Sequence, residues 1–239
     1  MDDAIVIALG GSLLSSNNEG TLESWKSNFT DLIVSMISKK IRMVIVVGGG
    51  KLARENIKLA KKSGVSDPFE LDLIGIEATR ENAKEIIGFF SNSNLMVGGV
   101  IPESISDCAS FLGKNNLVVM GGTVPGHTTD TVAIKMGAKL NSKCVIIATN
   151  VTHVFTSDPR LNSNAKPIES MSLNELGIIS GIGKEILPGS SFAVDPVGVN
   201  IAIEHNLPLV ILNGHDVDNL RKAVDGESFD GTNVYGVEN

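Results

Sequence analysis

The chain has 239 residues, 42% of them hydrophobic and 20% charged, with 25 glycines, 8 prolines and two cysteines, Cys108 and Cys144. That is enough apolar chain for a large core, and it excludes a disordered, collagen-like or disulfide-stapled protein. Twenty Lys and Arg against 27 Asp and Glu leave a formal charge of −7, which disfavours nucleic acid or an anionic membrane as a partner.

The chain starts Met-Asp-Asp-Ala-Ile-Val, acidic where a secretory signal is basic, and no apolar run approaches bilayer length, so a soluble cytoplasmic protein is expected. In chain order, residues 4–9 form an apolar run that predicts a buried strand, and the spacing over 22–39 predicts a helix. A second strand is expected over 43–47. A helix over 52–62 follows, with Ala53, Ile57 and Ala60 on one face and Lys51, Arg54, Lys58, Lys61 and Lys62 on the others. Beyond it the pattern predicts a helix over 73–90, a strand over 117–120, a helix over 129–138, a strand over 144–148, helices over 173–179 and 196–205, a strand over 209–212 and a helix over 217–224. This alternation predicts an α/β fold, one domain with helices on both faces of an open, mainly parallel sheet. Residues 151–172 and 187–195 read as long functional loops.

Charge is uneven: residues 39–62 hold eight bases and one acid, whereas 216–239 hold two bases and six acids. The first of these segments suits small anions.

In such a sheet, ligands collect beyond the carboxyl ends of the strands. Three expected strands end in glycine turns: Gly10-Gly11-Ser12, Gly48-Gly49-Gly50 and Gly121-Gly122-Thr123. Glycine lets a backbone approach a phosphate without a Cβ in the way. One such pair is explained by a tight turn alone; three together favour a polyphosphate.

The P-loop pattern G-x-x-x-x-G-K-[ST] is absent, since Gly183-Lys184-Glu185 lacks the hydroxyl and the upstream glycine. Gly48-x-Gly50-x-x-Ala53 does fit a dinucleotide fingerprint, with Asp72 near the position of a ribose-binding acid. That fingerprint belongs to the first strand, however, and the first turn here is Gly10-Gly11-Ser12. Arg54 stands where its fork can reach a phosphate held at the helix start.

The segment from Gly121 through Thr123, Val124, Pro125, Gly126, His127, Thr128, Thr129 and Asp130 is longer than capping requires. Thr128 or Thr129 suits an N-cap and Asp130 the helix dipole, which leaves the Pro-Gly-His turn for a ligand. The four histidines show no metal-ligand spacing, so no protein-held metal is expected.

These blocks together resemble the amino acid kinase superfamily, in its archaeal-type uridylate kinase branch. Besides the glycine turns they include Asp72 to Ile76, Thr79-Arg80-Glu81-Asn82-Ala83, Ala148 to Val151, Thr156-Ser157-Asp158-Pro159, and Gly189-Ser190-Ser191 leading to Asp195-Pro196. The resemblance implies an αβα sandwich that binds a phosphate acceptor through its N-terminal part and ATP through its C-terminal part. It also implies a homo-oligomer, usually a hexamer, and Mg²⁺ brought in on the ATP.

Carried over by motif, Gly49, Asp72 and the segment Thr123, Val124, Pro125, Gly126, His127, Thr128 and Thr129 would hold UMP. Gly11, Ser12, Gly50 and Arg54 would line the ATP phosphates, and Thr149, Asn150, Phe155 and Asp158 would surround its nucleoside. Arg54 and Asp130 would be the catalytic residues.

Three positions depart from the family pattern. Ala8 and Asn200 stand where many relatives carry lysine, and Thr152-His153 stands for Asp-Gly; Lys51 or Lys184 would be a substitute cation. Three alternatives follow: a kinase for another small acceptor, a nucleotide-binding sensor without catalysis, and, from the dinucleotide fingerprint, a nicotinamide-dependent dehydrogenase.

Overall fold

Strand β1 (Ala4–Leu9) buries both of its faces, sending Ala4, Val6 and Ala8 to one side and Ile7 and Leu9 to the other. A strand of that kind needs a helical layer above and below it. The computed structural model describes residues 4–15, 19–91, 93, 95, 97–182 and 194–236, and it supplies both layers.

After β1 come a 3-10 turn (Gly11–Leu14), α1 (Glu19–Ser38), β2 (Arg42–Val47), α2 (Gly50–Lys62), α3 (Pro68–Phe89), α4 (Ile105–Leu112), β3 (Leu117–Met120) and α5 (Thr129–Leu140). The second half holds β4 (Val145–Thr149), β5 (Val154–Phe155), β6 (Pro167–Ile168), β7 (Ser170–Ser172), α6 (Leu173–Ile179), α7 (Pro196–Glu204), β8 (Leu209–Asn213), α8 (Val217–Asp225) and β9 (Gly231–Tyr235). Seven strands form one sheet in the order β3-β2-β1-β4-β8-β9-β7, while β5 and β6 form a separate hairpin.

Strands β3, β2, β1, β4 and β8 are mutually parallel, so their carboxyl ends share one edge. Helices α4 to α7 cover the face of Val6 and Ala8, while α1, α8 and the end of α3 cover the face of Ile7 and Leu9. Each fully buried Ile, Leu or Val there contributes about 1.5–3 kcal/mol. Helix α2 buries no residue fully and lies against α3.

The expected strands and helices are all present, with small shifts at their ends except at α3, which begins at Pro68 rather than at the expected Leu73. Strict alternation is not: α2, α3 and α4 succeed one another between β2 and β3. Helix α3 starts at Pro68 because Asp67 caps it, its carboxylate accepting from Phe69 N at 3.1 Å. Asp72 therefore lies inside the helix, not ahead of it. The segment 151–172 contains the β5–β6 hairpin and β7. Most of the expected loop 187–195, together with Lys184 and Gly189-Ser190-Ser191, lies outside the described residues.

Candidate functional site

Register sets the site. Leu9 lies between Val47 and Ala148, Val46 beside Met120, and Ala148 beside Leu212, so the turns leave the sheet side by side at strand spacings of about 4.8 Å. The chain goes from β1 to β2 and β3 on one side and resumes at β4 on the other. That reversal opens a crevice at the end of β1, the expected ligand position in an open α/β sheet.

Three hydrogen bonds fix the bases of these turns: Gly10 N to Ala148 O at 2.8 Å, Gly48 N to Leu9 O at 2.8 Å and Gly214 N to Thr149 O at 2.7 Å. The Trp25 indole N–H donates to Gly214 O at 2.8 Å, which ties α1 to the turn after β8.

The first two glycine turns touch backbone to backbone. A Cβ at Gly11 would run into the Gly48 carbonyl, and one at Gly48 would stand 2.8 Å from Gly11 N. Gly50 has φ +54°, and a Cβ there would meet the Gly11 carbonyl and stand 2.8 Å from Ser12 N. Gly11, Ser12 and Gly50 therefore meet, with Gly49 next in the chain, at the N-termini of the 3-10 turn and of α2, where N–H groups attract anions.

The third turn differs from expectation, because the N–H of Gly122 is already spent on Thr79 Oγ1 at 2.6 Å. It is a structural bond rather than an anion donor.

The segment after β3 folds over this edge. His127 N reaches back to Val124 O at 3.4 Å, and Gly126, at φ +82°, makes the tight bend. Asp72 Oδ2 accepts from Gly126 N at 2.8 Å. Thr128 is the N-cap of α5, as its hydroxyl accepts from Thr131 N at 3.3 Å, and the Thr129 hydroxyl lies over the Gly48 turn.

The hydroxyls of Thr128 and Thr131 donate to Asp195 Oδ2 at 2.7 and 2.6 Å, while Asp195 Oδ1 caps α7 through Val197 N at 3.0 Å. Asp130 keeps only partial contact with solvent; burial first, and then the Asp195 carboxylate, push it up to about 7. Lys135 Nζ lies 3.1 Å from His127 Nε2. Burial and then Lys135 hold His127 below its ordinary value, so the ring is neutral at neutral pH.

On the other flank Thr149 ends β4 beside Gly10, and Asn150 follows it. Phe155 lies on the hairpin, edge-on to the buried His153 at a centroid distance of 6.4 Å. Asp158 is gripped by Arg160, with 2.7 and 3.0 Å contacts to both its oxygens, and its carboxyl is held below the ordinary range. Arg54 is exposed on α2, and Lys51 leans toward Glu55 at 3.9 Å.

Ala8 is buried between Val46 and Ile147, and Asn200 bonds Glu204 at 2.7 Å on the exposed side of α7. Among the described residues no three His, Cys, Asp or Glu converge as metal ligands, and no helix is long and apolar enough to cross a membrane.

Sequence reasoning assigned no role to Thr79, Asn82, Thr131, Lys135 or Asp195. Asp72, Thr79 and Asn82 carried a signal: spacings of seven and three place them on one face of α3. Each holds a turn of the site, at Gly126, at Gly122, and at Gly48 with Gly49.

Comparison with known proteins agrees with this architecture. The chain is 36% identical over 228 residues to a uridylate kinase of Methanococcus vannielii, covering 95% of this chain and 97% of that protein. It is 34% identical over 235 residues to a uridylate kinase of Methanococcoides burtonii, covering 98% and 96%. The crystal structure of the Archaeoglobus fulgidus uridylate kinase superposes with a TM-score of 0.80 at 31% identity, covering 97% of this chain and 99% of that one. Residues 3–213 match the Amino acid kinase family, and the chain belongs to that family.

Proposed function

We propose that this protein is a uridylate kinase that transfers the γ-phosphoryl group of MgATP to UMP, giving UDP and ADP. The observation that carries the reading is the backbone contact between the Gly11-Ser12 and Gly49-Gly50 turns, beside the segment that Asp72 ties down. Relatives named uridylate kinase that span nearly the whole chain favour UMP as acceptor over a small carboxylate, and favour a working enzyme over a silent sensor.

In this reading Gly49, Asp72 and residues 123–129 hold UMP, with a free carboxylate oxygen of Asp72 accepting from ribose and the segment's backbone reading uracil. Gly11, Ser12, Gly50 and Arg54 line the donor phosphates. Thr149, Asn150 and Phe155 flank the nucleoside, and Asp158 contributes through the hairpin turn that it braces with Arg160.

A UMP phosphate oxygen forms the new bond to the γ-phosphorus as the bond to the β–γ bridging oxygen breaks, and the electron pair leaves with ADP. The protein mainly positions the reactants and offsets charge on the equatorial oxygens. Mg²⁺ would enter as part of the donor and would help offset the charge of its phosphates. With Ala8 and Asn200 in place of lysines, backbone N–H groups and Arg54 carry that task.

A cytoplasmic homo-oligomer, hexameric by resemblance, belongs to the same reading. It is supported by the exposed Leu59, Phe69 and Leu73 on α2 and α3 and is read by analytical ultracentrifugation. The function itself is tested with a coupled ADP-release assay over UMP, CMP, isopentenyl phosphate and small carboxylates. UMP should give the highest kcat/KM, and no turnover with UMP would refute the reading.

A further inference from the structure

We propose that Asn82 is a positioning residue that holds the turn after β2 in the form of an anion cradle; the inference rests on the phosphoryl-transfer reading and adds to it a residue that touches neither nucleotide. Asn82 is buried on α3, and its side-chain amide donates to two consecutive carbonyls, Gly48 O at 2.7 Å and Gly49 O at 3.1 Å.

In a trans peptide the N–H points opposite to the C=O. Anchoring these two carbonyls toward α3 therefore turns the N–H groups of Gly49 and Gly50 away from it, and Gly50 N lies against Gly11 of the first turn. Neither N–H donates to a backbone carbonyl among the described residues.

The backbone conformation fits this direction independently. Gly49 is right-handed at φ −78° and ψ −27°, and Gly50 follows with φ +54°. Successive residues of opposite hand bring consecutive N–H groups into one concave nest, which binds anions. Gly49 O has a second donor, Ala53 N at 3.0 Å, within the first turn of α2. The Gly48–Gly49 peptide has no such helical tether, so Asn82 is what sets its direction.

A purely structural role makes a different prediction. Asn219 is a matched control, a buried asparagine on α8 that also clamps backbone, bonding Asp230 O and Asp230 N at 2.7 Å each. Asn82→Ala and Asn219→Ala should both melt below the wild type. Titration calorimetry with inorganic pyrophosphate reads the cradle without turnover.

Asn82→Ala should bind pyrophosphate about tenfold more weakly or worse and lose about 100-fold in kcat with UMP and ATP. Asn219→Ala should stay within about twofold in pyrophosphate affinity, as expected of a distant site. Should Asn82→Ala fold poorly, Asn82→Ser, which cannot hold both carbonyls, carries the same expectation.

Wild-type affinity in the Asn82 variants, an equal loss in Asn219→Ala, or no pyrophosphate binding by the wild type each overturns the proposal. A wild type that binds pyrophosphate but phosphorylates no UMP refutes the kinase reading, while the titrations still decide the role of Asn82.

Discussion

Asp72 accepts the backbone N–H of Gly126 at 2.8 Å across 54 residues of sequence, joining the outer part of α3 to the tip of the segment that follows β3. One carboxylate oxygen holds the segment after β3, and in the proposed function the other accepts from a ribose hydroxyl. A hydrogen bond to a charged group is worth about 1.5–3 kcal/mol. Asp72→Ala should therefore raise the KM for UMP roughly 10- to 100-fold while kcat changes far less. Initial rates against UMP at saturating ATP check this, and an unchanged KM would count against the assignment.

Asp130 gives the protein a pH signature. Its folded-state value of about 7 lies above the ordinary 3.8, so between those values the native state binds more protons than the unfolded chain. Stability contributed by this group is thus fully present below about pH 4 and is lost as pH rises through 7. Asn at this position keeps the shape without ionising. Thermal melts of Asp130→Asn should track the wild type near the acid end and lie above it at pH 8, with the gap opening between; a gap independent of pH contradicts the assignment.

Gly11→Ala tests the contact between the two turns. The added methyl would meet the Gly48 carbonyl and the Gly50 N–H, both backbone, so neither neighbour can rotate aside. Overpacking of this kind costs about 1–3 kcal/mol. The variant should melt lower and lose nearly all phosphoryl transfer even where it remains folded by circular dichroism. Gly88→Ala, where an added Cβ has open space, should leave transfer intact.

Arg54 and Lys58 lie one turn apart on α2 and are both exposed, yet only Arg54 is close to the helix start. Arg54→Ala should lower kcat/KM about 100-fold or more, the scale of losing a donor to a transferring phosphoryl group. Lys58→Ala, on the solvated stripe, should stay within about twofold. Equal losses from the two substitutions would make the effect one of overall charge.

Much of this architecture is legible in the chain because the parallel strands are buried on both faces and so read as unbroken apolar runs closed by Gly, Thr or Asn. The start of α3 is hidden because Asp67-Pro68-Phe69-Glu70 looks like a turn until Asp67 is seen to cap it. Strand β9 is hidden for a different reason: only Thr232 and Val234 of its side chains face the core, and Asn233 and Tyr235 face solvent.

At the site, the glycine turns and the segment 123–129 are legible from composition and spacing. The hydrogen bonds of Thr79, Asn82 and Asp195 join residues far apart in sequence, and only the fold reveals them. The free look of Gly122 in the sequence misleads for the same reason, since its N–H is claimed by Thr79 from 43 residues away.

The most direct measurement is a crystal structure with UMP and a non-hydrolysable ATP analogue bound together. The UMP phosphate and the γ-phosphoryl group should meet end to end over the N–H groups of Gly11, Ser12, Gly49 and Gly50, with uracil against residues 123–129. Two nucleotides seated with their phosphates away from both turns would contradict this arrangement.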